Sequence, residues 1–455
     1  MKVKKITAMA LSVLMVATAF AGCGKTGGTD KAETTAATTA AKEETTAAAA
    51  DPASIKGEIT VLTNRTDVVD TQFAGPGGYA EQFNKKYPNV KVKYEAITNY
   101  EDDVKTRMST TEYGDVLLIP GGVEPKDYPT FFEPLGKADD LKKTYRYIDT
   151  KGSFEGTTYG IATIGNAQGI IYNKKIFADA GITTLPKTSD EFIADLKKIK
   201  DKNGDKVIPL YTNYAAGWPL NQWADRLGAV AASPDYVNKL AHEKDPFAKD
   251  KPLYTIYKTM YDAVSQGLCE KDPMTSDWES SKKMVGTGEI ATMVLGSWSI
   301  KQIQEAAGAN AANIGYMPHP TSTDGKVYVS AGPDYTMAVN KNSKSKEAAL
   351  AYLHWFIDES KYYDYCQCIS PKIADPMPEA LKAFDEMKVE YVINNAAPAG
   401  EDGLTDNIAK AAEIGLSDDP WKKIIIEKAL SKESFDDYMA ELNKRWDSAM
   451  ADATK

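Results

Sequence analysis

The sequence predicts an α/β fold made of two lobes, and two observations lead to this fold class. Behind an N-terminal leader and a linker, roughly 400 residues remain, which exceeds the size at which a single hydrophobic core keeps growing. Along that body, strand patterns alternate with helical patterns. This βαβαβ order predicts a parallel or mixed sheet in each lobe.

The leader begins with three lysines among the first five residues and continues with an uncharged apolar run at 6–20. This pattern is typical of a secretory signal peptide over residues 1–22, and the run is too short to span a membrane. Small residues precede Cys23, and the stretch resembles the lipobox of bacterial lipoproteins, although Phe20 replaces the usual leucine. The resemblance implies a lipid on Cys23 that anchors the protein to the outer face of the cell membrane. Ordinary secretion with an unmodified Cys23 is the alternative.

The next segment, residues 23–53, consists mostly of Ala, Thr, Gly, Lys and Glu and has no aromatic residue. Such a composition cannot offset the entropy of ordering the chain. It predicts a flexible tether between the membrane and the body.

Overall charge and cysteine content exclude several classes of protein. The formal net charge is −10, so a nucleic-acid partner is not expected, because phosphate binding needs a basic surface. Three cysteines remain in the body, at 269, 366 and 368, and an odd number cannot all pair with one another. We expect them to be buried as small apolar groups, and we expect a monomer without a cofactor.

In the first part of the body, residues 57–63 read as a strand followed by a polar turn. A helical apolar face begins at Tyr79 and is stopped by Pro88, and the alternation that follows from Val90 predicts a half-buried strand. A helix over about 100–110 then leads to a short apolar strand at 115–119.

The later elements follow the same alternation. A strand is predicted at 170–172, and Thr188 with Glu191 three positions later forms a capping box that begins a helix. Further strands are predicted at 208–211, 290–295 and 336–339, and a helix begins near Ser345.

Enzyme motifs are weak. The three histidines, His242, His319 and His354, are widely spaced, and neither a zinc-protease motif nor a serine-hydrolase motif is present. The glycines at 75–78 nominally fit a dinucleotide-binding pattern, but no strand precedes them. Asp102 and Asp103 could suggest a glycosidase, but neighbouring residues on a helix do not face each other.

An ordered series of short motifs resembles the family 1 extracellular solute-binding proteins, the group that includes the maltose-binding protein. The series covers most of the body and comprises residues 80–88 (AEQFNKKYP) with 90–92 (VKV), 114–116 (GDV), 159–162 (YGIA), 171–177 (IYNKKIF), 185–188 (LPKT), 288–293 (GEIATM) with 296–298 (GSW), and 338–343 (AVNKNS).

The resemblance implies two α/β lobes joined by crossing strands, with a ligand held in the cleft and the lobes closing on it. One lobe would comprise residues 54–174 and 332–370, and the other residues 175–331 and 371–455. The closed form would be recognised by the permease of an ABC importer, and the expected ligand is a sugar or short oligosaccharide.

A sugar presents apolar C–H faces and a ring of hydroxyls, so its site needs aromatic platforms and side chains that donate and accept hydrogen bonds. The candidate ligand-binding residues are Asn64, Arg65, Asp67, Asp115, Asn166, Gln168, Trp218, Trp298, Asp334 and Tyr335.

Trp298 matches a family position where an aromatic side chain commonly lines the cleft, and Trp218 stands in a turn-rich loop. Asn64, Arg65 and Asp67 follow the first strand, and loops at the carboxyl ends of strands bind ligands in open α/β sheets. The alternatives are core packing for the tryptophans and solvated turns for the polar residues. Asp115 matches an acidic family position but could instead only cap backbone N–H groups.

Two other functions stay open from the sequence: an extracellular enzyme that acts on polysaccharides, and a ligand sensor without transport. The ligand class is also open, because Arg65 would suit an anion.

Overall fold

The computed structural model describes residues 51–322, 324–398 and 400–453, so the signal peptide, Cys23 and most of the predicted tether lie outside the described residues. The last tether residues, 51–53, are in contact with the body, because the Asn89 side chain donates a hydrogen bond to the Ala53 carbonyl (2.8 Å). No helix in the described ranges is both long enough and apolar enough to cross a membrane.

The strands in the described ranges are β1 Gly57–Thr63, β2 Val90–Ala96, β3 Val116–Leu118, β4 Gly136–Lys137, β5 Ser153–Phe154, β6 Thr157–Thr158, β7 Ile161–Ala162, β8 Gly165–Asn173, β9 Ile208–Leu210, β10 Ile290–Gly296, β11 Ile314–Pro318, β12 Tyr328–Pro333, β13 Thr336–Val339 and β14 Glu390–Val392. The α-helices are α1 Tyr79–Lys86, α2 Tyr100–Arg107, α3 Tyr128–Phe131, α4 Ala138–Leu141, α5 Lys174–Asp179, α6 Ser189–Asn203, α7 Leu227–Val230, α8 Tyr236–Lys239, α9 Pro252–Ser265, α10 Trp278–Thr287, α11 Ser299–Ala307, α12 Lys346–Asp358, α13 Tyr362–Tyr365, α14 Lys382–Glu386, α15 Leu404–Ala411, α16 Pro420–Ser431 and α17 Phe435–Ala453.

The first sheet has the strand order β2-β1-β3-β13-β7. Strands β1, β2 and β3 run parallel, and β13 joins them antiparallel after a long excursion of the chain. Helix α12 packs on β1 and β13. The core on this sheet comes from residues 55–164 and 337–368, so two separate stretches of sequence build the first lobe.

The second sheet has the order β14-β12-β8-β10-β9, with β11 also paired to β8. Every residue of β10 is buried, which fits its continuous apolar sequence. Two further core clusters cover this sheet and draw on residues 167–450. The predicted mixed α/β fold with two lobes is therefore confirmed.

Local signals set several of these boundaries. Thr188 accepts a hydrogen bond from the Glu191 backbone N–H, and the Glu191 carboxylate accepts one from the Thr188 backbone N–H, so the predicted capping box starts α6. The helix predicted from Tyr79 ends at Lys86, before Pro88. The strand predicted at 170–172 is longer than expected and spans all of β8.

In the described ranges the chain crosses between the two sheets three times, the third time near Ile369. The chain leaves the first sheet after Ala162 and enters β8 at Gly165, and it returns between Pro333 and Thr336. Backbone hydrogen bonds join neighbouring crossings. The Asp334 N–H donates to the Ile164 carbonyl (3.0 Å), and Gly165 and Ile369, at the third crossing, exchange two backbone hydrogen bonds. All nine residues of β8 pair within the second sheet, although the sequence-based boundary at 174 placed them in the first lobe.

Cys269, Cys366 and Cys368 are buried free thiols, as predicted. Burial raises the pKa of the thiol at each position, so all three are held in the protonated form.

Candidate functional site

A cavity of about 970 Å³ lies where the two sheets meet. Its walls come from both lobes, and the chain crossings form its floor. The size is typical of a site for a ligand larger than a single amino acid or metal ion.

The first-lobe wall is built on the turn after β1. Both nitrogens Nε and Nη2 of Arg65 donate to the Asp67 carboxylate at 2.8 Å, and Nη1 donates to the Tyr362 hydroxyl at 2.8 Å. Burial alone would raise the pKa of Asp67, but this pairing with Arg65 lowers it. The carboxylate is thus held ionised and in one orientation at the edge of the cavity.

At the floor, side chains on two crossings are linked. The Asn166 amide donates to the Asp334 carboxylate (3.0 Å), and Asn166 Oδ1 accepts from the Ser297 hydroxyl (3.3 Å). The Gln168 side-chain oxygen is buried and has no hydrogen-bond partner in the described part of the chain, so it can accept a bond from a ligand hydroxyl.

Tyr335 and Lys151 stand beside this floor. The Tyr335 hydroxyl donates to Glu101 (2.6 Å), and the Lys151 ammonium lies 5.7 Å from the centroid of the Tyr335 ring. Burial lowers the pKa of Lys151, and the carboxylates of Asp334 and Glu101 oppose that shift.

Trp298 stands in the second-lobe wall and forms an aromatic cluster with Trp218 and Trp278, which do not line the cavity. Ring centroids lie 5.6 Å apart for Trp218 and Trp298 and 6.0 Å apart for Trp278 and Trp298. Trp298 lines the cavity and packs against core residues of both lobes. Its indole N–H and the Gly296 N–H both donate to the Gln222 side-chain oxygen, at 3.4 and 3.1 Å.

Charge in the cavity is mixed, with an excess of acid. Its charged lining residues are Asp67, Glu101, Asp225, Glu279 and Asp334 against Arg65, Lys151 and Lys282. Each of the three guanidinium nitrogens of Arg65 already donates to a protein group, and Lys282 is paired with Glu279 at 2.7 Å. The cavity therefore suits a neutral, hydroxyl-rich ligand better than an anion.

Eight of the ten predicted site residues line this cavity, namely Asn64, Arg65, Asp67, Asn166, Gln168, Trp298, Asp334 and Tyr335. Trp218 lies outside the lining but contacts Trp298. Asp115 does not reach the cavity: its carboxylate accepts from the Thr60 backbone N–H (2.8 Å) and the Ser343 hydroxyl (2.6 Å), which is the capping alternative. Trp223, in the same segment as Trp218, is 2% exposed and lies in the core.

Several lining residues were not found from the sequence. They are Glu101, Lys151, Gln222, Asp225, Glu279, Lys282, Gln302, Tyr362 and Ser417. These residues lie on seven separate segments and share no motif, so only the fold brings them together. One signal was available for Gln222, because it stands one helical turn after Trp218 in a segment rich in tryptophan.

The arrangement offers aromatic and hydrogen-bonding groups to a ligand. Among residues 51–322, 324–398 and 400–453, no group of three or more His, Cys, Asp or Glu side chains is arranged to hold a metal ion. Aromatic faces, amides and oriented carboxylates are instead the groups that recognise sugars.

Comparison with known proteins identifies the family of this chain. The model of the bacterial extracellular solute-binding protein family matches residues 71–361, which is more than half of the chain. The chain belongs to this family. It is therefore a solute-binding protein of the extracytoplasmic type, as the resemblance predicted.

Two solved structures show how far the similarity extends. A mannobiose complex of the ABC-transporter binding protein BlMnBP1 from Bifidobacterium animalis subsp. lactis is 36% identical, with a TM-score of 0.81 over 89% of this chain and 96% of that one. A mannotriose complex of the manno-oligosaccharide-specific protein BlMnBP2 from the same organism is also 36% identical, with a TM-score of 0.80 over 88% and 96%.

A more distant relative is the diacetylchitobiose binding protein DasA of Streptomyces coelicolor. It is 26% identical over 390 residues, which is 80% of this chain and 85% of that protein.

Proposed function

We propose that this protein captures a short oligosaccharide, built of mannose units, in the interlobe cavity and delivers it to the permease of an ABC importer. The observation that carries the proposal is the pairing of the Trp298 platform with polar side chains from both lobes around one cavity. In this proposal the indole binds the C–H face of a sugar, and Asp67, Gln168 and Asp334 form hydrogen bonds with its hydroxyls. The 36% identity to binding proteins solved with mannobiose and mannotriose supports the choice of sugar.

Binding would close the two lobes around the sugar by rotation at the chain crossings. The backbone hydrogen bonds between the crossings favour a hinge located before Gly165 and after Pro333. In this proposal the first lobe comprises residues 54–164 and about 334–368, and binding energy shifts a conformational population instead of lowering a reaction barrier.

We further propose that the protein acts as a monomer anchored through a lipid on Cys23. A Cys23→Ser variant expressed in a bacterial host would then move from the membrane fraction to the soluble extracytoplasmic fraction. Retention of that variant in the membrane would contradict the anchor while leaving the sugar site unaffected.

A thermal unfolding screen tests the ligand class. The panel contains manno-oligosaccharides, chito-oligosaccharides, malto-oligosaccharides, amino acids and organic anions. At about 100 times the dissociation constant, a bound ligand stabilises the folded state by roughly 2.7 kcal/mol. We expect a rise in unfolding temperature with manno-oligosaccharides, and a rise only with anions or amino acids would contradict the proposal.

The same mixtures test the alternative hypothesis that the protein is an enzyme that acts on polysaccharides. Mannotriose recovered intact after a prolonged incubation is the expected result. Release of mannose or mannobiose would show turnover and favour the enzyme.

A further inference from the structure

Trp218 is an unusually exposed tryptophan. Its side chain is 38% exposed, whereas Trp223, Trp421 and Trp446 are at most 2% exposed. A single exposed apolar side chain is common on protein surfaces, so the inference depends on where Trp218 lies and on which rings it contacts.

Its position continues the aromatic wall of the cavity outward. Trp218 begins the helical segment Trp218–Arg226, in which Gln222 and Asp225 line the cavity. The Trp218 ring contacts both Trp298 inside the cavity and Trp278, with centroid distances of 5.6 and 5.1 Å. Aromatic contacts therefore run from Trp298 in the cavity wall to the exposed ring of Trp218.

The loop that carries Trp218 is held in place. Gly217 has a φ of 75°, and a Cβ at this position would overlap the Asp419 carboxylate. The Leu220 N–H donates to the Gly217 carbonyl (2.9 Å), and the Ala215 N–H donates to the Ser276 hydroxyl (2.8 Å). A fixed ring loses little conformational entropy when a ligand stacks on it.

We propose that Trp218 forms an outer subsite, which stacks on a sugar ring of an oligosaccharide whose inner rings occupy the cavity. The inference rests on the proposed function and adds a preference for chain length. Sugars that fit wholly within the cavity do not reach Trp218, while longer chains gain its contact.

Calorimetric titration with mannobiose, mannotriose and mannotetraose tests the subsite. We expect Trp218→Ala to weaken mannotetraose binding by at least about tenfold and mannobiose binding by less than about twofold. Trp218→Phe retains an aromatic face and is expected to keep most of the length preference. Leu430→Ala is the matched control, because Leu430 is also an exposed apolar residue (45%) but does not line the cavity.

The outcomes separate this inference from the proposed function. An equal loss for all three sugars would show that Trp218 only supports Trp298, and no loss for any of them would show that it is not a subsite; either result overturns the inference alone. If the wild-type protein binds none of the three sugars, the proposed ligand class itself fails.

Discussion

Glycine at position 296 lies where the indole of Trp298 folds back over the backbone. A Cβ added at Gly296 would come within 2.7 Å of two atoms of that indole. We expect Gly296→Ala to displace the ring from the cavity wall and to weaken mannotriose binding by about tenfold or more, measured by calorimetry. Gly332→Ala is the control, because a Cβ there meets no atom within 4 Å. Equal affinity for both variants would contradict this role of Gly296.

Asp225 makes the position of the Trp298 indole sensitive to pH. Its carboxylate accepts a hydrogen bond from the Gln222 amide (3.0 Å), and Gln222 in turn holds Trp298. Although the side chain opens to the cavity, the surrounding protein desolvates it and raises the pKa of Asp225 to about 6, against the opposing charges of Lys422 and Arg226.

Protonation below that pKa removes the charge from the acceptor and weakens the bond to Gln222. We therefore expect mannotriose affinity to fall as the pH drops from 7 to 5. In the Asp225→Asn variant the fall should be smaller, because no carboxylate titrates at position 225. A wild-type affinity that does not change over this range would contradict the link.

Individual residues differ in how far the sequence could predict them. Asn64, Arg65 and Asp67 were predicted because strand β1 could be read from its pattern and ligands bind beyond strand ends. Lys151 and Gln302 reach the cavity only through long-range packing, which no local pattern encodes. Asp115 matched a family position, but its carboxylate accepts hydrogen bonds from the Thr60 N–H and the Ser343 hydroxyl and does not reach the cavity.

Among the elements, helix α6 offers a test of stability that leaves binding unchanged. Its capping box at Thr188 satisfies backbone N–H groups that would otherwise lack a partner, so Thr188→Ala should lower the free energy of unfolding by about 1 kcal/mol. Ser345→Ala is the matched control, because Ser345 precedes α12 without making a side-chain cap bond.

Both stabilities are measured by chemical unfolding. No residue of α6 lines the cavity, so mannotriose affinity should be equal in Thr188→Ala and the wild-type protein. An equal loss of stability in the two variants would show that the capping box contributes nothing specific.

Element boundaries were predicted well where a local signal marks them, as at Pro88 and Thr188. The position of β8 was less accessible. Its apolar residues indicated a strand, but the sequence did not show that the strand begins at Gly165 and pairs with β10, β11 and β12, because sheet partners come from distant parts of the chain. We therefore propose that the first lobe ends just before Gly165, whereas the sequence predicted its boundary at residue 174.

At the level of the whole molecule, two lobes follow from chain length and from the alternation of strands and helices. Each lobe is built from separate stretches of sequence, so the chain must cross between the sheets. The cavity lies at these crossings. Trp298 stands where these lobes meet and packs on the cores of both. A sugar bound there would contact both lobes at once, which is how ligand binding would favour the closed form.

The most direct test of this account is calorimetric titration of mannotriose into the wild-type protein and its Trp298→Ala variant. We expect the wild-type protein to bind mannotriose and the variant to bind it more than tenfold more weakly, a loss of roughly 1.4 kcal/mol or more. Unchanged affinity in a variant that unfolds at the wild-type temperature would show that the sugar does not bind at this cavity wall.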